Sequence, residues 1–443
     1  MARPQHSTPD REAKQQLSFS HRNGLYDSQN RIILKNLNLR EMGEWCLSVG
    51  ESELRARQLY KWLMASGTGQ DRWVRSLDEA DGEPQSFSAP FKALISATAN
   101  LSGGLTLESV HSARDGTRKL VFALNPGEGS ASGTVETVLI PMTDKTGGNL
   151  RYTACVSSQV GCAMNCQFCL TGRMGLLGNL NTAQIVEQVI EARRYLKEQG
   201  SSTPIHNIVF MGMGEPFHNY DAVQSAVEVM TEPKGLGLSR HKVLVSTVGL
   251  VPEIKRFVAA GRAKLAVSLH ATTDEVRNWI VPLNRKYPLA ELLGTLREAF
   301  PTGKLKGDNF VIFEYVLLSD VNDTVADAER LRDLTADIYC CINLIVFNPH
   351  DGTAFRRSTD AAVKAFRGVL VTAGRICTLR TSKGDDEMAA CGQLGNVNLA
   401  SRPAPILQVP ESILQRLMVA TPASDVVAAA TAAAVGAAAP ALL

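Results

Sequence analysis

The stretch "CVSSQVGCAMNCQFC", residues 155–169, packs four cysteines into fifteen positions. Cys162, Cys166 and Cys169 follow a C-x3-C-x2-C pattern, and Cys155 stands seven residues upstream. Three thiolates on one loop can cap three corners of an iron–sulfur cubane. The fourth iron then stays open, just as catalytic metal sites keep one position free for a substrate. The rival is a tetrahedral zinc site using all four cysteines. Zinc ligands usually come in pairs about two to four residues apart, and Cys155 lies outside that spacing from Cys162. The cluster is the favoured reading, and it leaves a thiol to be accounted for.

Downstream of Cys169, strands and helices alternate over roughly 200 residues, the pattern of repeated strand–helix units. "IHNIVFMGMGEP", "KVLVSTVG", "AKLAVSLHA", "NFVIFEYVLLSD", "CCINLIVFNPH" and "ICTLRTS" read as strands. Between them lie helical segments such as "NTAQIVEQVIEARRYLKEQG", with Asn181 or Thr182 as its cap, and "VNDTVADAERLRDLTADI". The expected fold is α/β, a parallel sheet curled into a full or partial barrel. In such folds chemistry gathers at the C-terminal strand ends. Those ends carry Gly214, Glu215, Ser246, Ser268, His270 and Asn348. Each residue alone would be ordinary, a serine after a strand being usually a helix cap. Their shared edge predicts a ligand pocket.

Upstream, residues 28–100 read as a helical unit whose "ESELRARQLYKWLMASG" carries Arg55, Arg57 and Lys61. On these residues alone the basic side chains make a solvated helix face. Residues 101–152 turn strand-like, with a hairpin at Asp115-Gly116 and then "GTVETVLIPM", which holds Glu136. The expected core spans residues 153–394. A disordered leader is expected at 1–27 and a low-complexity Ala-rich tail without catalytic parts at 395–443.

The chain of 443 residues has a formal net charge of +2, so bulk electrostatics does not announce a nucleic-acid partner. Nine cysteines without a secretory signal point to a reducing compartment with reactive or metal-binding thiols. The tail run is too broken by Gly436 and Pro440 for a membrane span. The cytoplasm is the expected compartment, with a plastid or mitochondrion as the alternative.

With Phe168 before its third cysteine, the cluster motif resembles the radical S-adenosylmethionine (SAM) superfamily. Near the end stands "KGDDEMAACGQLG", with Cys391 in a Gly-flanked segment expected to be flexible. Together with "VETVLIP", "GMGEP", "SLHA", "EYVLL", "VND" and "FNPH", in matching order from Leu34 to Leu394, the chain resembles the RlmN/Cfr family of RNA adenosine methyltransferases. The resemblance implies a radical SAM partial (β/α) barrel with a helical, RNA-binding accessory domain. It implies a [4Fe-4S] cluster on Cys162, Cys166 and Cys169 and two SAM molecules per turnover. SAM contacts carried over are Gly214, Glu215, Ser246, Ser268, Leu269, His270 and Asn348. A first SAM methylates Cys391, and a radical from the second activates that S-methyl group for addition to the base. Cys155 then forms a disulfide with Cys391 to release the product, and Glu136 removes the ring proton. The implied partners are large-subunit ribosomal RNA, with transfer RNA also in view, and an electron donor such as a flavodoxin or ferredoxin, the enzyme being a monomer. Methylation at adenine carbon 2 is favoured over carbon 8, which would use the same cysteines. A non-catalytic, zinc-bearing RNA-binding protein is the rival from another class. After Cys169 the segment "LTGRMGLLGNL" departs from the family pattern.

Overall fold

The computed structural model describes residues 17–64, 73–83, 86–125, 133–143, 148, 150–303, 307, 309–380, 382–396, 404–411 and 413–415. The elements are β1 (Ile32–Ile33), α1 (Leu39–Ser48), α2 (Glu53–Met64), α3 (Ala89–Thr98), β2 (Ala99–Asn100), β3 (Leu105–Ser112) and β4 (Arg118–Leu124). β5 (Thr134–Thr143), β6 (Leu150–Cys155), β7 (Gln159–Cys162), α4 (Leu170–Arg173), β8 (Gly175–Asn179) and α5 (Thr182–Glu198) surround the cysteine motif. The alternating region holds β9 (Ile205–Phe210), α6 (Tyr220–Thr231), β10 (Val243–Thr247), α7 (Val251–Ala260), β11 (Lys264–Ser268), α8 (Asp274–Ile280) and α9 (Leu289–Ala299). It closes with β12 (Val311–Leu317), α10 (Val325–Leu334), β13 (Cys340–Val346), α11 (Asp360–Thr372) and β14 (Cys377–Arg380).

One sheet of ten strands organises the molecule, in the order β14-β13-β12-β11-β10-β9-β6-β5-β4-β3. From β6 through β14 its strands run parallel, while β5, β4 and β3 continue it antiparallel. The parallel strands are covered by helices and so read as apolar runs; "VIFEYVL" in β12 is almost wholly buried. β3 lies at the edge and is mostly exposed, which suits its mix of Thr, Glu, Ser and His. The sheet does not close on itself among the described residues, because β14 and β3 each have one neighbour. This is the expected α/β partial barrel, with the strand-like region before the cysteine motif joined to the same sheet.

Helix starts follow their caps. Asn181 accepts from the Gln184 amide while the Gln184 side chain accepts from the Asn181 amide, a reciprocal capping box that starts α5. Thr324 and Asp327 do the same for α10. The helical unit docks rigidly on α5: buried Lys35 reaches buried Glu187 at 2.6 Å, and Glu187 also accepts from the amides of Gly103 and Leu105.

Four expectations need correction or extension. Residues 1–16 of the expected leader lie outside the described residues, but 17–27 are folded: Phe19 and Leu25 are buried, and Arg22 binds the Asn36 carbonyl and Glu41. At the other end, residues 404–411 and 413–415 include a fully buried Ile413 that packs in an apolar cluster of the barrel. Helices α6 and α9 add to those the pattern marks out. The departure after Cys169 forms α4 and then β8, which pairs antiparallel with β7.

Candidate active site

The cysteine motif is shaped by its own hairpin. β7 delivers Cys162, and Gly161 before it has φ 69° with the Gly175 carbonyl 1.9 Å from where a Cβ would stand. Only glycine permits that approach. The Cys169 amide donates to the Cys166 carbonyl at 3.0 Å, turning the chain so that all three cysteines face one cavity. The cavity is open to solvent, and its wall includes Gly212, Gly214, Glu215, Ser246, Ser268, His270, Asn348 and Cys391. Burial pushes the Cys162, Cys166 and Cys169 thiols up from their ordinary value. Coordination by iron is the ordinary way to deprotonate thiols so placed. Among the described residues no three His, Cys, Asp or Glu side chains are placed to hold a single metal ion. A cubane gives each thiolate its own iron, so the three thiols need share a cavity rather than a point. The residues present therefore fit a cluster.

Next to the thiols the strand ends form a polar cradle. Gly214, with φ 99°, passes so close to Gln159 that a Cβ would stand 2.6 Å from the Gln159 Cβ, which keeps the backbone open to a ligand. Buried Glu215 accepts from the amides of Phe217 and Val248, each at 2.9 Å, and burial pushes its carboxyl up to about 7. Thr247 also bonds this carboxylate, which with about four acceptor sites keeps capacity for an ammonium group. The Ser246 and Ser268 hydroxyls stand 3.4 Å apart. His270 has φ 61°, and its Nδ1 accepts from the Val316 amide at 3.1 Å, so its proton sits on Nε2. Burial and then the nearby Arg277 drive it down to about 3, and the ring is neutral. Phe168 meets its ring edge-on at 4.9 Å. Asn348 accepts from the Ser382 hydroxyl and donates to the Cys391 carbonyl at 3.4 Å.

Leu269 is the exception among the expected SAM contacts. Its side chain is fully buried in the core, its amide donates to the Glu314 carbonyl, and its carbonyl accepts from Arg277. It shapes the strand end from behind and does not line the cavity.

Cys391 is held, contrary to the flexible segment expected for it. The Leu170 amide donates to the Gly392 carbonyl at 2.8 Å, and Gln393 bonds Ala390, Pro349 and Asp385. Cys155 ends β6 opposite Val138 of β5, and burial pushes its thiol up to about 12. The two thiols interact with each other, and both are pulled down by the Arg380 guanidinium at the end of β14. All nine cysteines are free thiols, so the structure contains no disulfide between these two; a bond made and broken during turnover would be absent from the resting fold. Glu136 lies two residues before Val138 and hence on the same sheet face as Cys155. It does not line the main cavity; its carboxylate accepts from the Gly395 amide at 3.0 Å and meets Lys119 at 3.7 Å. Burial raises its pKa.

Two groups escaped the sequence reading. Arg380 stands in the final apolar strand, where an internal arginine needs anionic company. Glu314 lines the cavity from β12, accepts from Asn343 at 2.8 Å, and is pushed up by burial against the pull of Arg380. For Glu314 the available signal was a charged residue inside an otherwise apolar parallel strand; Arg380, the last residue of β14, offered none.

The radical SAM superfamily matches residues 156–331 of the chain. A dual-specificity RNA methyltransferase RlmN from Syntrophotalea carbinolica is 41% identical over 378 residues, 85% of this chain and 93% of that protein. The RlmN of Pelobacter propionicus is 44% identical over 375 residues, covering 84% and 98%. A crystal structure of a radical SAM methyltransferase from Sphaerobacter thermophilus superposes with a TM-score of 0.70 at 37% identity, covering 82% of this chain and 98% of that one.

Proposed function

This chain belongs to the RlmN family of radical SAM methyltransferases, and from that membership we propose that it methylates carbon 2 of an adenosine in large-subunit ribosomal RNA, and in transfer RNA, through an S-methyl group on Cys391. The cofactors are a [4Fe-4S] cluster and SAM. Membership of an enzyme family removes the non-catalytic zinc reading. The observation that carries the proposal is that Cys391 lines the same cavity as Cys162, Cys166 and Cys169.

Carbon 2 of adenine lies between two ring nitrogens and is electron-poor, so it does not attack a sulfonium methyl in an ordinary displacement. When bound, the cluster and SAM supply one electron and a 5′-deoxyadenosyl radical able to remove hydrogen from a methyl thioether. Cys162, Cys166 and Cys169 would hold the cluster, and Glu215, the Ser246–Ser268 pair and the open backbone at Gly214 would orient SAM. Cys391 carries the methyl group as a thioether and presents it to the base. After carbon–carbon bond formation the RNA is joined to Cys391 through sulfur. Glu136 takes the proton leaving carbon 2, and the one electron whose loss restores the closed-shell ring would pass back to the cluster, when bound. The Cys155 thiolate attacks the Cys391 sulfur, the S–S bond forms, and the C–S electron pair with a proton completes the product methyl. The Arg380 guanidinium favours the thiolate at both sulfurs.

Arg55, Arg57 and Lys61 on α2 would contribute to RNA binding. An external reductant such as a flavodoxin or ferredoxin and a monomeric state belong to the same proposal. No helix among the described residues is long and apolar enough to cross a membrane. The test is mass mapping of adenosines in RNA from cells with and without the protein. A 2-methyladenosine that depends on the chain supports the proposal; an 8-methyladenosine moves the regiochemistry, and unchanged RNA overturns it.

A further inference from the structure

The segment after the Cys391 loop makes contacts that the chemistry above does not use. Residues 404–407 and Ile413 make contact with the loop that carries the cluster cysteines. The Ala404 amide donates to the Arg173 carbonyl at 2.8 Å, and Arg173 returns a bond to the Ala404 carbonyl. Asn165 donates to the Pro405 carbonyl at 3.0 Å. The Leu407 amide donates to the Gln167 side-chain oxygen at 2.8 Å, and Trp279 donates to the Leu407 carbonyl at 3.3 Å. Asn165 and Gln167 flank Cys166 on either side. Beyond these bonds Ile413 is fully buried in an apolar cluster that also contains Cys166, Trp279 and Phe347.

The composition suits the task. "APILQVP" (404–410) has prolines at 405 and 410, which pre-set an extended backbone and lower the entropy lost on docking. The bond at Pro405 uses its carbonyl, so the missing N–H costs nothing. Asn165 takes φ 50°, a left-handed conformation uncommon outside glycine. A side-chain bond from that residue to the segment helps hold it there.

We propose that residues 404–411 together with Ile413 form a strap over the cluster loop, with Gln167, Leu407 and Ile413 as positioning residues for Cys166. The strap limits the opening of the loop and so shields the bound cluster from oxygen and chelators. The shielding rests on the cluster assignment above, whereas the effect on the loop does not.

Two shortened chains distinguish the strap from the residues beyond it: one ending at residue 403 and one ending at residue 415. In cluster-free protein, hydrogen exchange across residues 163–173 should quicken in the first and match the full chain in the second. With the cluster reconstituted anaerobically, its visible absorbance should bleach in air about tenfold faster without the strap, as expected when a buried apolar anchor is lost from a local opening equilibrium. Should the shorter chain fail to fold, full-length Ile413→Glu is compared with Ile413→Val, and only the first should show both changes. Equal exchange and equal bleaching in strap-deleted or Ile413→Glu protein and full chain would overturn the proposal. A chain that binds no iron yet still shows the exchange difference would refute the cluster reading and leave the strap in place.

Discussion

The Leu170 amide donates to the Gly392 carbonyl at 2.8 Å. That bond ties the residue after the last cluster cysteine to the residue after Cys391, although more than 200 positions separate them. The C-x3-C-x2-C loop and the Cys391 loop are therefore positioned by each other. The site's chemistry can be divided between them by substitution.

Cys391→Ala removes the proposed methyl carrier without touching a cluster ligand. Methylation should be abolished, while iron content and reductive SAM cleavage stay near those of the unaltered enzyme. Cys166→Ala should lose all three. Iron analysis and 5′-deoxyadenosine release read the difference; methylation by Cys391→Ala would remove this residue from the mechanism.

Cys155→Ala should accumulate a covalent protein–RNA species visible as a shifted band on a denaturing gel. In the unaltered enzyme the thiol is pushed up to about 12, so at neutral pH only a small fraction is thiolate. Resolution of the adduct should speed up with pH, by up to about tenfold per unit wherever thiolate formation limits it. A single-turnover chase at several pH values measures this, and a flat profile would count against Cys155 as the attacking group.

Glu215 has a carboxyl pushed up to about 7 by burial. Only its ionised form accepts an ammonium charge, so SAM affinity should fall as pH drops through that value and level off above it. Glu215→Gln should bind SAM more weakly at high pH and lose the dependence. Equilibrium binding to the cluster-loaded protein at pH values on both sides of 7 provides the check.

Lys35 and Glu187 form a buried pair at 2.6 Å that joins the helical unit to α5. Lys35→Ala leaves Glu187 with two backbone donors but no countercharge. Breaking such a pair should destabilise the chain by about 3–5 kcal/mol, read from the denaturation midpoint. Lys35→Met should cost as much, since it also strands the carboxylate. Iron binding under native conditions should survive both changes.

Much of this protein was legible in its sequence because the relevant signals are local. Parallel strands covered on both faces are mostly apolar, and β10 through β13 read that way, with Ser246, Ser268 and Glu314 among the polar exceptions that reach the cavity. Asn181, one of two caps the sequence offered for α5, satisfies the Gln184 amide three residues on. The C-x3-C-x2-C spacing put three thiols on one short loop, and the fold brings all three to one cavity.

What only the tertiary structure decided are relations between distant residues. Leu269 sits next to two cavity residues in sequence, yet the strand end turns it into the core. Arg380 reads as one more basic residue until β14 brings it beside both Cys155 and Cys391. Residues 404–411 and Ile413 show no periodicity of their own, because their bonds are made with Asn165, Gln167, Arg173 and Trp279 and the buried Ile413 packs in an apolar cluster built from other elements. Backbone pattern depends on neighbours along the chain, whereas burial and charge pairing depend on neighbours in space, and only the folded chain chooses those.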